Sequence, residues 1–218
     1  MSEFIMKRKD NYWWEVTLVK LGKPLIIFLT HTPVTPNMVT LVNLIVVFPL
    51  ICFTAWKKYF YVLAVLIQLY MFLDIVDGNL ARNKHMQSEI GKKLDIISDT
   101  IFYTVGYFFI GIGVELPAWA ILAAIAIQHC YGVIATYYIV PKIHKLKVFE
   151  HTRLKQFFIE RDILFGMDAS LETLITTVLL LTSMRKYIFV VCPLLWIIDM
   201  IYRIYELNWV NRKNVVKD

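Results

Sequence analysis

Charge is scarce in this chain. Asp, Glu, Lys and Arg together make up 18% of its 218 residues, while hydrophobic residues make up 58%, against roughly 45–50% apolar in soluble domains. A soluble domain needs far more polar surface, so the shortage excludes that class and points to an integral membrane protein. The length leaves no room for a second large domain beside one membrane domain. Cysteine is scarcer still. Cys52, Cys130 and Cys192 are odd in number, far apart and each set in an apolar stretch, which excludes a disulfide framework and zinc-type spacing. His129 and Cys130 are neighbours, but adjacent helical residues face different directions, so they read as packing and not as a nucleophile dyad. Long basic runs and RNA-binding signatures are also missing. The net charge of +6 therefore points to cytoplasmic loops and anionic headgroups, not to nucleic acid. The N-terminal stretch lacks a cleavable-leader layout, because Met6-Lys7-Arg8-Lys9-Asp10 leads into aromatic and charged residues. Internal repeats and low-complexity segments are absent.

What the chain has is apolar runs of spanning length. Six are expected, over residues 37–56, 59–80, 94–114, 119–140, 163–183 and 187–205. Pro33 and Pro36 punctuate the approach to the first, Pro117 opens the fourth and Pro141 closes it. Residues 11–30 are interrupted by Glu15, Lys20 and Lys23, with Trp13, Trp14, Val16, Leu18, Leu21 and Leu25 between them. This pattern predicts an amphipathic helix lying in the interface. The expected fold is all-α and polytopic. A cytoplasmic N-terminal segment over 1–36 precedes a six-helix catalytic domain over 37–205, and a basic cytoplasmic tail covers 206–218. With the N-terminus inside, 19 of the 23 Lys and Arg residues fall on cytoplasmic segments, leaving Lys57, Lys58, Arg185 and Lys186 outside. The positive-inside rule thus places both termini in the cytoplasm.

Against this apolar background four aspartates stand within 26 residues, in the string Asp74-x₂-Asp77-Gly78-x₂-Ala81-Arg82-x₈-Gly91-x₃-Asp95-x₃-Asp99. Spacings of three and four put each pair on one face of a helix. Gathered at about 5 Å, such carboxylates repel by several kcal/mol per pair even at an effective dielectric of about 20. Either they stay apart and protonated, or divalent cations hold them together as a metal site. Plain solvation of helix ends would need no glycine register.

The string matches the signature of the CDP-alcohol phosphotransferase family at every defining position. Eight specified residues at fixed spacing give a chance match on the order of 10⁻⁸, so the signal is strong. Thr32-Pro33-Val34-Thr35-Pro36-Asn37-Met38-Val39-Thr40 is similar to the Thr-Pro-Asn-x-Val-Thr run that often opens the first spanning helix of that family. The resemblance implies two divalent cations, Mg²⁺ or Mn²⁺, gripping the pyrophosphate of a CDP-linked donor. Asp74, Asp77 and Asp95 would be metal ligands, and Asp99 a ligand, the general base, or both. Asp74, Gly78, Ala81, Arg82 and Gly91 would bind the donor nucleotide. For the small residues the competing role is close helix packing, and for Gly91 the two readings balance. Arg153, Lys155, Arg161 and Arg203 are candidates to cradle a phosphorylated acceptor, with attraction to anionic lipid as the alternative.

The resemblance implies an enzyme of phospholipid synthesis, homodimeric in the membrane (the cell membrane in a prokaryote), with its active site on the cytoplasmic side. It would pass a phosphatidyl group from CDP-diacylglycerol to a small polar alcohol such as inositol phosphate or glycerol phosphate, releasing CMP. In the reverse arrangement, a soluble CDP-alcohol gives its head group to a lipid or polyol. A divalent-cation transporter is the competitor from another class, and it would spread acidic residues across the depth of the membrane.

Overall fold

The computed structural model of the chain describes residues 13–144, 152, 155–157 and 166–215, and all regular structure among them is helical. Helix α1 (Trp13–Thr30) comes first. Then follow α2 (Pro36–Trp56), α3 (Phe60–Asn83), α4 (Glu89–Gly113) and α5 (Ala118–Ile143), each long and apolar enough to cross a membrane. The shorter apolar helix α6 (Ala169–Leu181) comes next. A single 3₁₀ turn then leads into α7 (Ile188–Val215), whose apolar part is also of spanning length. The chain is an all-α polytopic membrane protein, as its hydropathy requires. The expected tail from residue 206 begins inside a helix, because α7 continues to Val215.

Local sequence explains where the helices start. Pro36 occupies the first turn of α2, where its missing N–H costs nothing, and the Thr35 hydroxyl accepts from Met38 N at 3.3 Å. Ser88 caps α4 by accepting from Gly91 N at 3.0 Å. Asp168 caps α6 through Leu171 N at 2.8 Å. Helices α2, α3 and α4 share one way of ending. Lys58, His85 and Glu115 take left-handed conformations, and the next N–H reaches back to an earlier carbonyl: Tyr59 to Thr54, Met86 to Ala81, Leu116 to Gly111. This is the Schellman arrangement, with longer side chains where glycine is usual. Lys58 and Glu115 then pair with each other across two loops.

Helix α3 is the centre of the bundle, packed against α1, α2 and α6, while α7 packs on α5. Leu63, Ala64, Ile67 and Tyr70 of α3 are buried against Ile51 and Ala55 of α2 and Phe102 and Ile110 of α4. Helix α1 docks Leu18 and Val19 on Met71 and Ile75 of α3, and leaves Leu21, Leu25 and Phe28 exposed. An exposed apolar stripe opposite a docked one suits a helix lying in an interface. Val46, Leu50, Val65 and Leu122 also point outward, which lipid permits.

Close approach sets the α2–α4 spacing. A Cβ on Gly113 would collide with the Ala55 carbonyl, so only glycine lets these backbones meet. Gly113→Ala is expected to destabilise the bundle by about 1–3 kcal/mol through overpacking. A lowered midpoint in thermal unfolding of the detergent-solubilised protein would show it, and an unchanged midpoint would contradict the contact.

Candidate functional site

The end of the bundle where α3 finishes and α4 starts holds a cavity of about 800 Å³. All four aspartates of the sequence string line it. Asp74 and Asp77 come from α3, and Asp95 and Asp99 from α4, each pair one turn apart as the spacing requires. Oxygens of Asp74, Asp95 and Asp99 lie within 4.8 Å of one another. Asp77 is in the same wall but outside that trio, and its Oδ2 accepts a hydrogen bond from the Thr40 hydroxyl at 2.6 Å.

Several hydrogen bonds hold these helices in register. The Tyr70 and Ser98 hydroxyls meet at 2.8 Å, one turn from Asp74 on α3 and beside Asp99 on α4. Asn43 Nδ2 donates to the Tyr70 carbonyl at 2.9 Å, which anchors α2 to α3. The Tyr103 hydroxyl donates to the Ala169 carbonyl at 3.3 Å, so the face of α4 bearing Asp99 is turned toward the start of α6. Lys84 donates to the carbonyls of Thr32 and Val34 at 2.6 and 2.7 Å. That bond pair fastens the threonine- and proline-rich approach to α2 onto the end of α3.

The donor set at this site is all oxygen and all anionic. Two carboxylates 4.8 Å apart repel by about 3 kcal/mol at an effective dielectric of 20. A cation with bonds of about 2.1 Å spans oxygens up to about 4.2 Å apart, close to the separation found here. Hard divalent cations, Mg²⁺ or Mn²⁺, suit such a set. The residues fit a metal site.

Among basic residues, Arg82, Lys92 and Arg203 reach the cavity wall. The Arg82 side chain folds back along its own helix, so that its terminal nitrogens lie 3.7 and 3.8 Å from where a Cβ on Gly78 would stand. Its Nε is buried without a hydrogen-bond partner. The Glu15 carboxylate of α1 and Asp77 both act electrostatically on its guanidinium.

A family model described as CDP-alcohol phosphatidyltransferase matches residues 33–201. The chain belongs to that family. No curated protein matches the chain. The family is one of phosphotransferases acting on CDP-linked alcohols in membranes, and divalent cations are typical of it.

Asp74, Gly78, Ala81, Arg82 and Gly91, expected at the nucleotide, all line the cavity. The two glycines differ in what surrounds them. A Cβ on Gly91 would meet Asn37 Oδ1 at 2.9 Å, so the protein itself uses that space. A Cβ on Gly78 would meet only the flexible tip of Arg82, at ordinary contact distance. Arg203 reaches the wall while its Nε donates to Asp199 at 2.7 Å. Lys155 pairs with the buried Glu206 at 3.0 Å and is not among the residues lining the cavity. Arg153 and Arg161 lie outside the described residues.

Sequence reasoning missed Thr40, Asn37 and Asn79, which line the cavity. Thr40 and Asn37 sat in a run noted only as a helix opening. Asp168 lines the cavity as well as capping α6. Gly78→Ala is expected to leave thermal stability unchanged and to weaken CDP binding, which calorimetry would measure. Equal CDP affinity in the variant would show that the nucleotide does not approach Gly78.

Proposed function

We propose that the protein transfers a phosphatidyl group from CDP-diacylglycerol to the hydroxyl of a small polar alcohol, with release of CMP. The observation that carries this reading is the trio Asp74, Asp95 and Asp99, gathered within 4.8 Å in a cavity at one end of a membrane bundle. Divalent cations held by Asp74, Asp77, Asp95 and Asp99 would neutralise the donor pyrophosphate and align the displacement. Arg82 is set to meet a donor phosphate, as its guanidinium lies in the wall above Gly78.

Asp99 is the group assigned to the acceptor. It faces the start of α6, where Asp168 and Ser170 continue the cavity wall, and an alcohol is a poor nucleophile until a carboxylate within hydrogen-bond reach takes its proton. The alcohol oxygen bonds to the phosphorus bearing the diacylglycerol. The phosphoanhydride bond to CMP breaks, and the alcohol proton passes to Asp99. Phosphorylated alcohols such as glycerol phosphate or inositol phosphate are the acceptors proposed. Support comes from Arg203 in the wall and from the sequence's basic stretch around Arg153 and Arg161. The charge distribution along the chain supports cytoplasmic termini and a cytoplasmic active site.

The purified protein supplied with CDP-diacylglycerol and a panel of polar alcohols is expected to release CMP with a phosphorylated member. Release only when a soluble CDP-alcohol is paired with a lipid acceptor would reverse the direction of transfer. Chelation of divalent cations should abolish release, as should Asp95→Asn in a protein that still folds. CMP release undiminished in excess chelator would end the metal reading.

Asp99 and Asp77 should separate kinetically. Asp99→Asn is expected to lower turnover far more than donor binding, since removing a proton acceptor acts mainly on the transition state. Asp77→Asn should weaken donor binding as well. The same loss of donor affinity in both variants would remove the distinction between them.

A further inference from the structure

The Thr40 hydroxyl of α2 bonds directly to Asp77, an aspartate of the string. Thr40 and Asp77 are each only 5% exposed, and their bond of 2.6 Å joins residues 37 positions apart. The same hydroxyl lies 3.3 Å from the Pro36 carbonyl. It has one proton to give, and the shorter contact to a carboxylate takes it.

The surroundings fix this threonine on both sides. Asn37, three residues earlier, packs its side-chain oxygen over Gly91 of α4. Asn43, three residues later, donates to the Tyr70 carbonyl of α3. Spacing of three keeps all of them on one face of the helix, so α2 turns a polar stripe toward the two helices that carry the aspartates. Asp77 is the member of the string that the carboxylate trio does not include. A protein hydroxyl therefore steadies it where neighbouring ligands do not.

We propose that Thr40 is a positioning residue for the metal site, its hydroxyl orienting the Asp77 carboxylate so that a cation entering the cavity meets a ligand already in place. This rests on the metal reading of the cavity given above. Carboxylates that ligate metals are commonly held by a hydrogen bond of this kind, and loss of the partner costs about 10- to 100-fold in metal affinity or activity. The terminal threonine of the run that opens α2 thereby acquires a chemical role beyond starting a helix.

The test is direct Mn²⁺ binding to the purified full-length protein in detergent, read from the electron paramagnetic resonance signal of unbound Mn²⁺. Thr40→Val, which replaces the hydroxyl by a methyl, is expected to weaken Mn²⁺ binding by about 10- to 100-fold. Thr40→Ser keeps the hydroxyl and should keep wild-type affinity. Thr40→Cys offers only a weak S–H donor and should lose affinity. In an Asp77→Asn background, Thr40→Val should have no further effect, because its target is gone. Should Thr40→Val fail to fold, the serine and cysteine variants decide the matter. Serine binding at wild-type level with cysteine weakened supports the proposal, and a serine variant as impaired as cysteine overturns it. Wild-type affinity in Thr40→Val overturns this role alone. A wild-type protein that binds no Mn²⁺ overturns the metal reading and this role together.

Discussion

Three carboxylates held within 4.8 Å of one another would, when all are ionised, repel by about 3 kcal/mol per pair at an effective dielectric of 20, and the site has to contain that repulsion. The net stability of a folded domain is only about 5–15 kcal/mol, so an uncompensated cluster would consume much of it. Rigid helices resist the repulsion first. The Tyr70–Ser98 bond ties α3 to α4 close to the aspartates, and Asn43 ties α2 to the Tyr70 carbonyl. A bound divalent cation would turn the repulsion into the driving force for binding. The braces and the cation act on the same strain from opposite sides.

Topology places the other charges. Helices run alternately through the bundle, so α2, α4 and α6 all begin at the cavity end and α3 ends there. Their caps are Thr35, Ser88 and Asp168. Each helix start carries about half a positive charge, and three such starts around one cavity favour an anionic ligand. Arg82 and Lys92 add full positive charges to the wall. A site whose floor suits cations and whose rim favours anions is matched to the metal-carried pyrophosphate of the proposed reaction. The opposite end of the bundle has a different character. There the Lys58–Glu115 pair is exposed on both sides, and Gly113 brings α2 and α4 into backbone contact.

Much of the fold was legible from hydropathy alone, because a segment that crosses a lipid layer must be apolar over its whole length. The α2, α3, α4 and α5 spans are found within a few residues of the expected ranges. The extension of α7 to Val215 was not legible, since a polar helix end carries no hydropathy signal. The aspartates were legible because their register is local. Spacings of three and four fix which residues share a helix face before any neighbour is known. The acceptor residues were less so. Lys155 and Arg203 were chosen for their charge, yet both have carboxylate partners in the fold, Glu206 and Asp199. A sequence shows that a cation is present but not which anion stands opposite.

Sequence by itself determined the fold class, the family and the four aspartates, because hydropathy, helical register and a spaced motif are all properties of nearby residues. Tertiary structure alone decided which three aspartates converge and that Asp77 stands aside with Thr40. It also decided that Gly91 makes room for Asn37 while Gly78 faces only the tip of Arg82. Each of these depends on which helix lies beside which, and helix neighbours are set by packing between residues far apart in the chain.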